Sequence, residues 1–301
     1  MTENLRYRHQ SPCRLRSLLL GCVLAAIPGI GLIAQTEMAS VRFSDAALSL
    51  PAVESFGFVR IPEGSFPMGS NPLIDPMAFE NERWSESQRQ GRVEMPLYYI
   101  ARYETTVAQF RAFVEATGYP VDPQALAQPD DYPVSFVSWT DALAYTRWLD
   151  EALRTLPQLP VELKQFLDQG AHVTLPNEAE WEKAAKGEQS RIYPWGNQFV
   201  SDKANVNSAT PQAVGSVQCS DCVYGLSDMS GNVWEWTRSP YRTYPFDTDL
   251  AGVNLIDDAL WVMRGGSFSD ESNNARAAVR GAADPGARRA FIGFRVVLST
   301  D

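Results

Sequence analysis

The sequence predicts an α+β fold, rich in loops, with short strands and a few helices. Three observations carry this. Short aromatic and β-branched runs recur between Pro and Gly. Two stretches show apolar residues near helical spacing, Thr106 to Ala116 and Thr140 to Leu153. After Gly187 helical patterning gives way to Gly, Pro, Asn, Ser and Trp between brief extended segments.

In chain order, a strand is expected over Phe56–Ile61, then the turn Pro62-Glu63-Gly64-Ser65 and a second run from Phe66 to Ser70, read together as a hairpin. Residues 71–92 are polar and mixed in charge, an expected exposed loop, and Val93–Tyr99 an expected strand. The first helix buries Val107, Phe110, Ala112, Phe113 and Val114, and Gly118 stops it. The second buries Ala142, Leu143, Tyr145, Trp148 and Leu149, with Thr140 as its expected cap. Residues 154–170 read as an insertion around a short helix from Val161 to Leu167. A brief strand from His172 to Leu175 leads to Asn177, a cap for a helix with acidic residues in its first turn, where the dipole favours them.

Composition bounds the function. The chain has 301 residues, 45% hydrophobic and 21% charged, with a net charge of −10. Removing the four arginines and one glutamate before position 35 leaves 22 basic and 35 acidic residues. Such a surface repels phosphate backbones, so no nucleic-acid partner is expected. Arg14 and Arg16 precede an uncharged run, Ser17–Ala34, which reads as a signal peptide or N-terminal anchor. Leu19-Leu20-Gly21-Cys22 also resembles a lipobox, so cleavage, retention and lipidation all stay open. The expected organisation is residues 1–34 as export segment, 35–55 as linker and 56–301 as one domain in the periplasm, with membrane contact only through the N-terminal segment. Outside that segment the cysteines are Cys219 and Cys222. In an oxidising compartment they most simply form a small disulfide loop; free thiols and a redox or metal role are the alternatives.

An ordered string of motifs then carries a resemblance. It comprises Pro62-Glu63-Gly64-Ser65-Phe66-Pro67-Met68-Gly69-Ser70, Glu104-Thr105-Thr106-Val107, Pro133 through Trp139, and Leu175 through Glu182. It continues with Tyr193-Pro194-Trp195-Gly196-Asn197, Gly225 through Trp236, Arg264-Gly265-Gly266-Ser267-Phe268 and Gly293-Phe294-Arg295-Val296. Over roughly residues 57–298 the chain resembles the formylglycine-generating enzyme (sulfatase-modifying factor) family. The resemblance implies that family's variant of the C-type lectin fold. It also implies a structural calcium held by Asp228 and Glu235 side chains and the Gly231 and Val233 carbonyls. That set suits a hard cation: two carboxylates seven positions apart, wrapped by a glycine turn. The family's second calcium site would begin at Asn205 and Val206, but the acidic loop that completes it is missing here.

Two departures matter. The family's active enzymes bind copper through two cysteines after the Gly-Gly-Ser motif, and those positions here are Asp270 and Ala275. Neither replaces a thiolate ligand. The related sulfoxide synthases hold iron with three histidines, whereas this chain has two, His9 and His172, the latter expected as a strand-end or core residue. No copper or iron is therefore expected. Gly265-Gly266 predicts positive φ or close backbone approach. Trp234 and Trp236 are expected on opposite sides of an extended segment, one toward the core and one toward a cleft. The cleft would be lined by Trp234, Ser267, Asp270 and Arg276. Glu271, Ser272, Asn273, Asn274, Arg280, Arg288 and Arg289 lie in or near the same variable region. From Arg264 to Val297 this region also resembles the ligand-binding end of variable proteins diversified by retroelements.

Two functions follow. The first is an exported, noncatalytic binding or regulatory module of the bacterial envelope that takes a protein or peptide ligand. The second is a periplasmic oxidase or maturation enzyme, as in relatives implicated in peptide siderophores such as pyoverdine. Its candidate groups are Glu235, Trp234, Ser267, Asp270 and Tyr241.

Overall fold

The computed structural model describes residues 54–87, 90–217, 219–245 and 259–300. The expected export segment, with Cys22 of the lipobox-like motif, lies outside these residues. No helix among the described residues is long and apolar enough to cross a membrane.

The predicted helices form. Helix α1 runs Val107–Thr117, with Thr106 and Gln109 as a reciprocal capping box and Gly118 in the left-handed conformation at its end. Helix α2 runs Trp139–Thr155, and the short α3 spans Val161–Asp168. Helix α4 is Glu178–Lys186, capped by Asn177 as predicted. The cap of α2 is a correction: Ser138, not Thr140, accepts the N–H of Asp141, and Asp141 returns a bond to the Ser138 N–H.

Strands β1 (Phe58–Ile61), β4 (Tyr98–Ala101), β10 (Val297–Ser299) and β5 (His172–Thr174) form one sheet in the order β1-β4-β10-β5, all antiparallel. The last strand thus sits between elements from the first and middle thirds of the chain and closes the domain. Strands β2 (Gly64–Met68) and β3 (Gly91–Met95) make a two-stranded sheet. A third sheet has the order β8-β7-β6-β9, from Gly281–Ala283, Trp261–Arg264, Trp234–Pro240 and Ile292–Gly293; β6 and β9 are parallel.

Two strand expectations are corrected. The runs before and after Pro62 are not a hairpin, since β1 pairs β4 and β2 pairs β3; the turn carries the chain between sheets. The expected strand Val93–Tyr99 is two strands, broken at Pro96-Leu97, because proline cannot donate to a ladder.

The largest apolar cluster packs Phe110 and Phe113 of α1 and Trp139, Tyr145 and Leu149 of α2 against Val173, Leu298, Trp236 and Trp261. A second cluster joins Ile61, Tyr98 and Ile100 to Trp181 and Ala184 of α4 and to Leu226 and Met229. Helix α4 is buried although half its residues are charged: Glu178, Glu180, Glu182, Lys183 and Lys186 are each at most 1% exposed. Buried charges persist only when paired or hydrogen-bonded. Here Glu180 pairs with Arg238, Glu182 with Lys186 and Arg264, and Glu178 with Arg264 and Arg280, while Lys183 is answered by the Pro62 and Gly64 carbonyls instead. The first-turn acids read from the sequence as dipole partners are thus also the anchors of this network.

Candidate ligand cleft and cation site

The Gly265-Gly266 turn after β7 lets two chain segments touch. Both glycines have positive φ, 97° and 73°, and a Cβ on Gly266 would lie 2.8 Å from the Asn274 carbonyl. The turn delivers Ser267 to Asp270: the Ser267 N–H and Oγ donate to Asp270 Oδ2 at 2.9 and 2.6 Å. The Trp234 indole N–H donates to the same oxygen at 2.9 Å. Trp234 and Asp270 are half-buried, Ser267 is buried and Ser269 is exposed. Three of the four predicted cleft residues are therefore brought together.

The fourth is not. Arg276 is fully buried, with its guanidinium bonded to Glu82 at 2.7 and 2.8 Å and to Asp75 at 2.6 Å. This also corrects the reading of residues 71–92 as an exposed loop, since Asp75 and Glu82 are buried. Ser70 Oγ and the Phe79 N–H complete the Glu82 carboxylate. Other candidates move away as well. Arg280 is buried on Glu178, and Arg288 pairs with Asp141 of α2. The Tyr241 hydroxyl accepts from Asn81 Nδ2, and its ring meets Arg280, 4.9 Å from ring centroid to guanidinium carbon. Trp234 and Trp236 do not face opposite sides. Residues two apart on a strand share a face, and both rings meet the same apolar cluster. The contrast between them is along the strand: Trp236 is fully buried and donates to the Val137 carbonyl, whereas Trp234 lies nearer the surface.

On the other face of β6, Glu235 is fully buried and clasped by Arg295, whose Nε and Nη2 donate at 2.6 and 2.7 Å. The Trp181 indole N–H donates to it at 2.7 Å. Both its oxygens are taken by buried donors on the face of β6 away from the Trp234–Asp270 junction, so Glu235 is withdrawn as a catalytic candidate there. Two further acids interact with it electrostatically, Asp228 and Glu104. Burial pushes the Asp228 carboxyl up to about 6, with Glu235 adding to the shift and the Gly215 N–H and Arg295 opposing it. Burial, with Asp228 and Glu235, holds the Glu104 carboxyl well above its ordinary range. Glu104 Oε2 accepts from Asn232 Nδ2, while Oε1 is buried with no partner. Three carboxylates thus share Arg295. An orphaned buried oxygen in a net-negative setting fits a hard cation. Among the described residues, no three His, Cys, Asp or Glu side chains converge as metal ligands, so backbone carbonyls would have to complete any such shell. Sequence reasoning missed Glu104. Its one signal was an acid lying just before the α1 cap inside a quoted motif, with no helix charge to answer.

Asn205 serves the same region. Its carbonyl accepts the Asn232 N–H, and its side-chain amide donates to Thr210 and Asn232. Here Asn205 buttresses the Gly231 turn. Cys219 and Cys222 are joined in a disulfide, Cα–Cα 5.3 Å.

A family model, "Sulfatase-modifying factor enzyme 1-like domain", matches residues 47–300. The chain belongs to this family. It is 27% identical over 286 residues to a hercynine oxygenase of Mycolicibacterium smegmatis, covering 79% of this chain but only 60% of that protein's length. Against the formylglycine-generating enzyme of Thermomonospora curvata it is 27% identical over 318 residues, covering 79% of this chain and 92% of the relative. To the mouse "Inactive C-alpha-formylglycine-generating enzyme 2" it is 28% identical over 301 residues, covering 84% and 89%. Among solved structures, PvdO from Pseudomonas aeruginosa superposes with a TM-score of 0.62 at 23% identity, covering 80% of this chain and 93% of that one. The family variant of the C-type lectin fold is accordingly the fold of this domain.

Proposed function

We propose that this chain is an exported, noncatalytic binding or regulatory module of the bacterial envelope, built on a formylglycine-generating-enzyme scaffold. The observation that carries the reading is the state of Asp270. It stands at the first copper-cysteine position, and its Oδ2 is taken up by Ser267 and Trp234. At the second position stands Ala275, fully buried. No thiolate is available there for a soft metal. What remains is a half-open junction of indole, hydroxyl and carboxylate, suited to holding a protein or peptide ligand. A family member whose name includes "inactive" supports the reading. Glu104 and Asp228, with the Gly231 and Val233 carbonyls, would hold a calcium ion, and Glu235 would support it from its pairing with Arg295. That ion would supply positive charge and rigidity.

The deciding experiment incubates the purified protein with a Cys-X-Pro-X-Arg peptide, copper, oxygen and a thiol reductant, which supplies the two electrons that take the second oxygen atom to water. The reading requires unchanged peptide; conversion of the cysteine to formylglycine overturns it.

A second reading, a maturation oxidase with another active site, is favoured by one observation. The Ser267 hydroxyl and Asp270 carboxylate are 2.6 Å apart beside an indole, an arrangement able to move a proton. Relatives that include a hercynine oxygenase support this kind of chemistry. Oxygen consumption that depends on Asp270 would select this reading over the first.

A further inference from the structure

Asp270 is a charged group whose two oxygens differ. Oδ2 accepts three hydrogen bonds, all from neutral donors: the Ser267 N–H, the Ser267 hydroxyl and the Trp234 indole N–H. Oδ1 has one long contact, Asn274 Nδ2 at 3.4 Å. Among the described residues no Lys, Arg or His makes an ion pair with Asp270. The neighbouring arginine, Arg276, is turned away and already answered by two carboxylates, Asp75 and Glu82. Glu271, next in the chain, is exposed and adds negative charge. The side chain is therefore fixed through one oxygen and offers the other, uncompensated, at a half-exposed position.

Trp234 shares that position. Its ring is held on one side by β8, where a Cβ on Gly281 would lie only 2.8 Å from the ring carbon Cζ3. Its N–H is fixed on Asp270. The indole and carboxylate are thus locked together before any ligand arrives, which lowers the ordering cost of binding. The locked carboxylate attracts a positive charge through a charge-assisted hydrogen bond at its remaining oxygen.

We propose that Asp270 Oδ1, beside Trp234, receives a cationic group of the ligand, an ammonium or guanidinium. This rests on the binding-module reading above and adds the class of ligand. An anionic group would meet repulsion here, and a neutral one would leave the carboxylate charge unanswered.

The test uses purified protein labelled with 5-fluorotryptophan and followed by fluorine NMR, with Trp234→Phe to assign the resonance. The probes are N-acetyl-arginine methylamide and its neutral isostere, N-acetyl-citrulline methylamide. The Trp234 resonance should move with the arginine probe, and the citrulline probe should bind at least about tenfold more weakly. Asp270→Asn keeps an oxygen able to accept the Ser267 and Trp234 bonds but removes the charge. With the other tryptophan resonances unchanged, it should weaken the arginine response about tenfold or more. Should that variant fail to fold, the unmodified protein still decides the matter, because a charge-dependent contact weakens as salt rises. Equal response to both probes, full binding by Asp270→Asn, salt-independent binding, or no movement up to about 100 mM probe overturns the proposal. Its failure leaves the peptide-conversion result untouched, since that assay reads the oxidation of the peptide's cysteine and not the binding of a cation.

Discussion

Arg276 holds Glu82 in a two-pronged, fully buried ion pair, 2.7 and 2.8 Å, across 194 residues of chain. The pair ties the segment after β2 to the segment after the Gly265-Gly266 turn, where Arg276 Nε also donates to the Asn273 carbonyl. Breaking a buried pair strands the other charge. We expect Arg276→Met to lower unfolding stability by about 3–5 kcal/mol, measured by urea titration. The double variant with Glu82→Leu should be less damaging than the sum of the singles; strict additivity would show that the pair is not coupled.

The carboxylates of Glu104 and Asp228 predict an unusual pH response. Both have folded-state values raised by burial, Asp228 from 3.8 to about 6. Between those values the native state binds more protons than the unfolded chain, so metal-free protein should lose stability as pH rises from about 4 to about 6. Calcium reverses the sign of that demand, because it binds the ionised forms. The rise in melting temperature on adding calcium should therefore be larger at pH 7 than at pH 5. Equal increments at both pH values would remove these groups from the site.

Gly231 sits at φ 83°, and a Cβ there would lie 2.3 Å from the Asn205 carbonyl oxygen. Gly231→Ala should force these backbones apart, at a cost above about 1–3 kcal/mol. It should also weaken calcium binding, because the Gly231 carbonyl moves with the turn. Calorimetric titration with calcium reads the second effect independently of the first.

Two hydroxyls compete for the start of α2. Ser138→Ala removes the acceptor for the Asp141 N–H and should cost about 1 kcal/mol. Thr140 is exposed and only touches the Ser138 hydroxyl at 3.0 Å, so Thr140→Ala should cost less. A reversal in thermal unfolding would return the cap to Thr140.

Most local signals were legible in the sequence, the Ser138 cap and the shared face of Trp234 and Trp236 excepted, and long-range ones were not. Thr106, Gly118 and Asn177 declared their helix ends because capping depends on residues within three or four positions. The Gly265-Gly266 turn announced its positive φ for the same reason. Strand partners were misread where pairing is decided far away: Ile61 and Gly64 are three residues apart yet belong to different sheets. The buried partners of Arg276, Arg280 and Glu235 were equally hidden, since charge alone does not say whether water or another side chain answers it. Motif order pointed to Asp228 for a cation site and to Trp234 and Asp270 for a separate cleft. Only the folded chain added Glu104 and removed Arg276.

The central claim is that this domain keeps the family scaffold without its oxidative metal. It is tested most directly by the metal content of protein purified from an oxidising compartment without chelators. About one calcium per chain and negligible copper and iron are predicted. Stoichiometric copper or iron, with oxygen consumed on addition of a reductant, would contradict it.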